Sequence, residues 1–464
     1  MKQLLRPVGA LASLAILAFS VRAANRSYHE AAIGAAHWIE MNSIQKSPGI
    51  VWASNPDDPK TVNTTLFAGT PGPILFLLET FRYTGDRAYL DKARQGADAL
   101  LASISQNDDT GLYTGLAGSG FTLGEAYLIT HDRRYNDGAL QCVRWIEAKA
   151  AKTSPGAKWN DVTDIISGAS GTGLFLLWAA DHLEAQGARE LAIHVGENLV
   201  ATGEQEPGGG LKWMMDKSYP FEMPNFCHGT AGVAYFLATL YQATGRKEFL
   251  RAALGGAKYL ISIANVTDRY FLIYHDNKNN HLFYLDWAHG PAGTAGLFYR
   301  LYQITKDPKW MTLVEKCAAA VRVFGGPEKA FATIPPGSAP TLTVWRNGNP
   351  KEVANPGVWQ NVSICDGVAG ESEFFYNVYL VSHNREWLRA AEEGSDRLLS
   401  LADNKDGAYR WVQVETFVQP DLAIAQTNYM QGASGIGMWL LHFNAALSGQ
   451  RRPVITLPDD PFAY

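Results

Sequence analysis

Apolar positions along this chain fall into two kinds of run that alternate. One kind leaves no polar face: after Gly229 come Val233, Tyr235, Phe236, Leu237, Leu240 and Tyr241. A helix patterned in that way is buried on every side. The other kind carries a single stripe. From Glu248 to Ile261 the residues Phe249, Leu250, Ala253, Leu254, Ala257 and Leu260 recur at helical spacing. The pattern predicts an amphipathic outer helix packed on a buried inner one, joined by the polar turn Thr244-Gly245-Arg246-Lys247.

This unit repeats. Seven Gly-x-x-Gly pairs open apolar runs: Gly69/Gly72, Gly115/Gly118, Gly168/Gly171, Gly229/Gly232, Gly290/Gly293, Gly367/Gly370 and Gly432/Gly435. In five of them an aromatic follows the first glycine by 20 residues, at Tyr89, Tyr135, Phe249, Trp310 and Trp387. The polar turn returns as Thr84-Gly85-Asp86, His131-Asp132-Arg133, Thr305-Lys306-Asp307 and Ser382-His383-Asn384. Such periodicity means stacked supersecondary units, none able to bury its apolar face alone. The last inner run, after Gly432, has no outer partner, whereas Tyr28–Glu40 is an outer-type segment with no inner one. The expected fold is therefore all-α: a closed (α/α)7 toroid of seven inner and seven outer helices, sealed by the N-terminal helix. Strand-like pieces before the inner runs predict short hairpin-like loops at one mouth. The glycines are expected to permit close backbone approach and unusual φ.

The net charge of −5 provides no basic patch, which argues against a nucleic-acid partner. Residues 1–24 read as a secretory signal peptide: Lys2 and Arg6, an apolar run from Val8 to Val21, then Val21-Arg22-Ala23. Export to the periplasm or outside the cell is expected, with residues 25–464 forming one domain and no membrane span after cleavage. Of the four cysteines, Cys142 and Cys317 sit in outer-helix stripes as small buried apolar residues. Cys227 and Cys365 each stand two residues before a repeat glycine, and an exported protein could join them as a disulfide.

In a toroid the two residues preceding each inner helix project toward the axis at one mouth. Units four, five and six place Cys227-His228, Ala288-His289 and Cys365-Asp366 there. Thiolates and imidazole converging on one point suit Zn²⁺. The chain resembles the lanthionine synthetase C-like family, through the seven Gly-x-x-Gly units and the stretch CHGTAGVAYFL beginning at Cys227. That resemblance implies one Zn²⁺ at the axial mouth, held by two cysteines and a histidine, which activates a substrate thiol for addition to a dehydroamino acid. The family's histidine in unit four is matched by His228. Its Trp-Cys-x-Gly in unit five is here Trp287-Ala288-His289-Gly290, and its Cys-His-Gly in unit six is Cys365-Asp366-Gly367.

The metal set expected from these positions is Cys227, His289 and Cys365, completed by His228 or Asp366. The acid–base candidates are His228, Asp366 and Glu371, the last in the opening turns of inner helix six, where a carboxylate could instead complement the helix N-terminus. Asp161 and Asp164, just before unit three, could reach the mouth or be solvated or capping loop residues, and Asp286 could orient the imidazole of His289 or serve as a turn residue. Trp52, Trp159, Trp213, Tyr274, Trp345 and Trp411 stand in the connecting loops, either as a sugar- or peptide-binding rim or as roofs over the helix ends. Two classes of function stay open. One is a zinc-dependent enzyme acting on a peptide or small-molecule thiol; the other is a carbohydrate-active toroid related to six-hairpin glycosidases that acts on a glycan. A non-catalytic binding protein with a degenerate site is the third reading.

Overall fold

The structure, a computed structural model, describes residues 27–216, 219, 221–278, 282–327, 331–332, 341–346, 349–354, 358–359, 361–414, 423–450 and 454–462. The expected signal peptide lies outside the described residues, as does the side chain of Trp345. Among the described residues no helix is long and apolar enough to cross a membrane.

Among the described residues fourteen α-helices alternate between two concentric layers. The inner layer comprises α2 (Pro71–Thr84), α4 (Leu116–Thr130), α6 (Ala169–His182), α8 (Thr230–Thr244), α10 (Pro291–Thr305), α12 (Val368–Ser382) and α14 (Ala433–Leu447). Each inner helix touches the next, and α14 touches α2, so the layer closes on itself. The outer layer comprises α3 (Arg87–Ser103), α5 (Arg133–Lys149), α7 (Ala188–Thr202), α9 (Lys247–Ile263), α11 (Pro308–Val323) and α13 (Arg385–Leu401). Its seventh member is α1 (27–41). Tyr28 of α1 stacks near Phe443 of α14, ring centres 5.5 Å apart, and its hydroxyl donates to Asp396 of α13 at 2.5 Å. The two ends of the chain thus close the ring together.

The inner-to-outer turns are short for a local reason. Inner helices end on a left-handed residue at Gly85, His131, Gly245, Lys306 and His383. Next in chain come Asp86, Asp132, Asp307 and Asn384, whose side chains accept the N–H of Ala88, Arg134, Lys309 and Glu386. One residue stops a helix and its neighbour caps the next.

The outer-to-inner connections are longer and gather at the opposite end, where the inner helices begin. They form two-stranded hairpins, among them Ile44–Lys46 with Gly49–Val51 and Asp403–Lys405 with Ala408–Arg410. The loop between α11 and α12 holds the longest, pairing Thr341–Arg346 with Asn349–Ala354.

The loop aromatics face inward. The indole N–H of Trp52, Trp159, Trp213 and Trp411 donates to the carbonyl of Ile39, Ile146, Leu199 and Leu398, respectively, at 2.7–2.8 Å. Each carbonyl belongs to the last turn of an outer helix, where intrahelical partners run out. These tryptophans roof the helix ends and form no rim around the mouth.

Candidate functional site

Space, not φ, explains the paired glycines. The first glycine of each pair from Gly115 onward sits at φ between −103° and −154°, extended backbone open to any residue, which corrects the expectation of unusual φ. What excludes a side chain is crowding. A Cβ on Gly118, Gly171, Gly232, Gly293, Gly370 or Gly435 would strike the carbonyl oxygen six residues earlier, at Leu112, Ile165, Phe226, Trp287, Ile364 or Tyr429. The incoming loop folds flat against the helix start because nothing projects there.

That folding delivers the next residue of every loop to the axis, where backbone groups join in a ring. Phe67 N–H donates to Tyr113 O (3.0 Å), Tyr113 to Ile166 (2.9 Å), Ile165 to Cys227 (3.1 Å) and Cys227 to Ala288 (3.1 Å). Ala288 donates to Cys365 (3.2 Å), Cys365 to Met430 (3.0 Å), and Met430 back to Phe67 (3.2 Å). Seven units are stitched into one closed diaphragm.

Side chains on the two faces of this diaphragm differ in chemistry. Tyr113 and Met430 line the lumen beneath it. The following residues in units three to seven are Ser167, His228, His289, Asp366 and Gln431; among them His228 stands beside His289, and Gln431 donates to Asp366. A shared turn sets those of units three, five, six and seven in place: the residue four before the first glycine accepts the N–H three residues on, whereas Asn225 Oδ1 in unit four has no hydrogen-bond partner among the described residues. Asp164 takes Ser167 N–H (2.9 Å), Asp286 takes His289 (2.8 Å), and Asn428 takes Gln431 (2.8 Å).

Asp164 therefore has one oxygen engaged in its turn. The other lies 2.7 Å from Nδ1 of His228, whose side chain is a quarter exposed while the carboxylate is fully buried. This Asp–His pair holds the imidazole with Nδ1 toward the carboxylate and Nε2 available to the mouth. His289 stands beside it, ring centres 5.5 Å apart, and His275 lies 4.5 Å beyond His289. His275 has its own partner, Asp276, at 2.8 Å, and Tyr284 closes the cluster against both rings. Burial first, then the two neighbouring histidines, hold His289 well below the usual histidine range, so it is neutral. Asp286 is pushed up by burial and by Asp366, and its Oδ2 makes no hydrogen bond among the described residues. Asp286 thus positions the backbone of His289, not its imidazole.

The remaining sequence candidates divide. Asp366 belongs to the cluster, accepting from Gln431 Nε2 at 2.5 Å. Glu371 does not. Its carboxylate packs on Gly326, at the far end of α11, and burial pushes it up to about 8. All four cysteines are free, so the alternative of a Cys227–Cys365 disulfide is not met. Cys142 and Cys317 lie in the outer helices α5 and α11. Sequence reasoning missed His275, Asp276 and Tyr284, which stand in a loop outside the repeat register. Their only local signal is the His-Asp dipeptide.

The zinc donors that the resemblance implies do not fit. One thiolate position is occupied by Ala288, buried at 1 % exposure. The histidine position is Asp366, engaged by Gln431. Burial comes first, and the carboxylates Asp164, Asp366 and Asp286 add to it, in pushing the Cys227 thiol well up; burial, Asp366 and Cys227 do the same to Cys365. Among the described residues no three His, Cys, Asp or Glu side chains, including Cys227, His289 and Cys365, are grouped to hold a metal ion.

A closed α/α toroid with a buried carboxylate–histidine pair at its axial mouth defines the class. The chain belongs to the lanthionine synthetase C-like protein family, whose model matches residues 60–325, more than half of its length. It is similar in fold to nisin cyclase, with a TM-score of 0.61 and 16% identity over 86% of this chain and 92% of that one. Weaker likenesses include the unsaturated glucuronyl hydrolase of Bacillus sp. GL1 (TM-score 0.45, 13% identity, 72% of this chain and 93% of that one). Another is the GH76A alpha-1,6-mannanase of Salegentibacter sp. HEL1_6 (TM-score 0.41, 14% identity, 71% and 95%). At such scores they carry no argument about chemistry.

Proposed function

We propose that this protein is a lanthionine synthetase C-like enzyme that adds a thiol to a dehydroamino acid in a peptide or small molecule by acid–base chemistry. The observation that carries this reading is the 2.7 Å contact between buried Asp164 and partly exposed His228. Nε2 of His228 takes the proton from the substrate thiol as sulfur attacks the β-carbon. The buried carboxylate holds the tautomer that has this lone pair free and stabilises the imidazolium formed. The resulting carbanion at the α-carbon is protonated there, so the thiol's proton is balanced in the product. Because the donor set does not fit zinc, no step is assigned to a metal. Export, through residues 1–24, and a peptide partner are part of the same proposal.

Incubation of the purified protein with a dehydroalanine peptide and a small thiol tests this, with the thioether followed by mass spectrometry. His228→Gln and Asp164→Asn should each slow addition by about 10²-fold or more, the usual contribution of a positioned base. Dialysis against a chelator should leave the rate unchanged. Unaltered rates in both variants would sink the acid–base reading, and loss of activity on chelation would restore the zinc one. No addition with any thiol would leave the binding-only reading standing.

A further inference from the structure

Beneath the diaphragm, on the face away from His228 and His289, lies a cavity of about 820 Å³. Its volume falls in the range of small-molecule sites, roughly 300–1,000 Å³. The end of the chain forms one of its walls. Residues 454–462 run back into the lumen, where Ile455 N–H donates to Glu79 at 3.0 Å and the Phe462 ring stacks on Tyr299, centres 4.6 Å apart.

The lining combines two chemistries. Aromatic faces come from Phe226, Trp287, Phe374 and Trp439. Three carboxylates, Glu373, Asp459 and Asp460, share the space with them. Asp459 accepts from Tyr113 and Asp460 from the N–H of Phe462, but none of the three has an ion pair among the described residues. Among the described residues, Arg300 and His442 act on Asp460 and Glu373 from nearby but make their contacts with other partners. Arg300 donates to Gln242 and Tyr235, and His442 lies 3.4 Å from Glu79. Burial, reinforced by neighbouring carboxylates, pushes both Glu373 and Asp459 up to about 7.

A separate observation points to a ligand. Tyr429 is 7 % exposed and lines the cavity, with Glu373 first among the carboxylates acting on its hydroxyl. That hydroxyl makes no hydrogen bond among the described residues. The ring is buried while the hydroxyl opens onto the cavity. Here its acceptors and donors are left to whatever enters.

We propose that this lumenal cavity is a binding site for an organic cation, an ammonium on an apolar or aromatic body. The carboxylates would receive the ammonium N–H groups, Tyr429 would supply a further polar contact, and the aromatic faces would cover the body and add cation–π attraction. The site stands apart from the acid–base chemistry of the mouth and does not depend on it.

Calorimetric titration of the whole protein with 2-phenylethylamine tests the assignment, with phenylacetate, the same ring bearing an anion, as the matched control. The amine should bind with at least tenfold higher affinity than the acid. Glu373→Gln and Asp460→Asn, each checked for an unchanged circular dichroism spectrum, should weaken the amine tenfold or more. Equal binding of amine and acid, or no binding of either at millimolar concentration, overturns the proposal on the wild-type protein alone. Loss of the amine signal in these variants with His228-dependent addition intact supports it. A signal lost in His228→Gln would place the amine at the mouth and refute the lumenal site.

Discussion

The hydroxyl of Tyr113 lies 3.0 and 3.2 Å from the two carboxylate oxygens of Asp459, residues 346 positions apart in the chain. Tyr113 is a member of the backbone diaphragm, so this bond ties the mouth of the toroid to the segment that fills its lumen. The end of the chain is therefore part of the core.

Deleting residues 454–464 should destabilise the protein far more than loss of a surface tail. A single truncation, Phe462→Ala, removes a ring that is 6 % exposed and should cost about 3 kcal/mol. Urea unfolding would measure both, and a shift below 1 kcal/mol for Phe462→Ala would show that the segment is not docked.

Glu371 makes stability depend on pH. Its native carboxyl is raised to about 8 by burial, while the unfolded chain ionises near the ordinary value of 4.5. The native state holds its proton longer, so stability is full below about pH 4.5 and is lost as pH rises toward 8. The loss amounts to about 1.4 kcal/mol for each pH unit in that window. Thermal unfolding from pH 5 to 8 should show this fall, and Glu371→Gln should lessen it by that share, Glu373 and Asp459 being also raised to about 7, while leaving thiol addition unchanged. A variant with full pH dependence and no activity would return Glu371 to the catalytic candidates.

No thiol should react rapidly with an aromatic disulfide reagent in the folded protein, because all four cysteines are buried. In denaturant without reductant, four should react. A count of two would demonstrate the disulfide that the structure lacks. Cys365→Ala should leave the metal content of the purified protein unchanged, and loss of one equivalent of zinc would overturn the assignment of a site without metal.

Trp213→Phe should cost about 1–2 kcal/mol, the price of leaving the carbonyl of Leu199 unpaired at a buried helix end. The same substitution should not affect binding of any oligosaccharide. A selective loss of sugar affinity with unchanged stability would mean that the indole faces ligand.

The glycine pairs illustrate how far the chain could be read directly. Their recurrence before apolar runs specified seven inner helices, six of them in hairpins, and the unmatched segments at the two ends specified how the ring closes. Both follow from local periodicity and from counting, which need no coordinates. The positions of His228, His289 and Asp366 at one mouth were legible for the same reason, since each stands in fixed register to a glycine.

Partnership was not legible. That Asp164 holds His228 depends on two loops of different units meeting, and that Asp286 holds a backbone N–H depends on which of its oxygens the turn consumes. His275 and Asp276 lie outside the repeat register, so no count could bring them to His289. Glu371 lies in the first turn of the helix that Asp366 leads into, yet faces Gly326, because a rotation of one residue on a helix turns a side chain by about 100°. Helix number and ring closure are one-dimensional properties of the repeat. The direction of each polar side chain at the mouth is decided by packing between neighbouring units some 65 positions apart, and the return of the C-terminal segment into the lumen by contacts more than 300 positions apart, which only the closed toroid brings together.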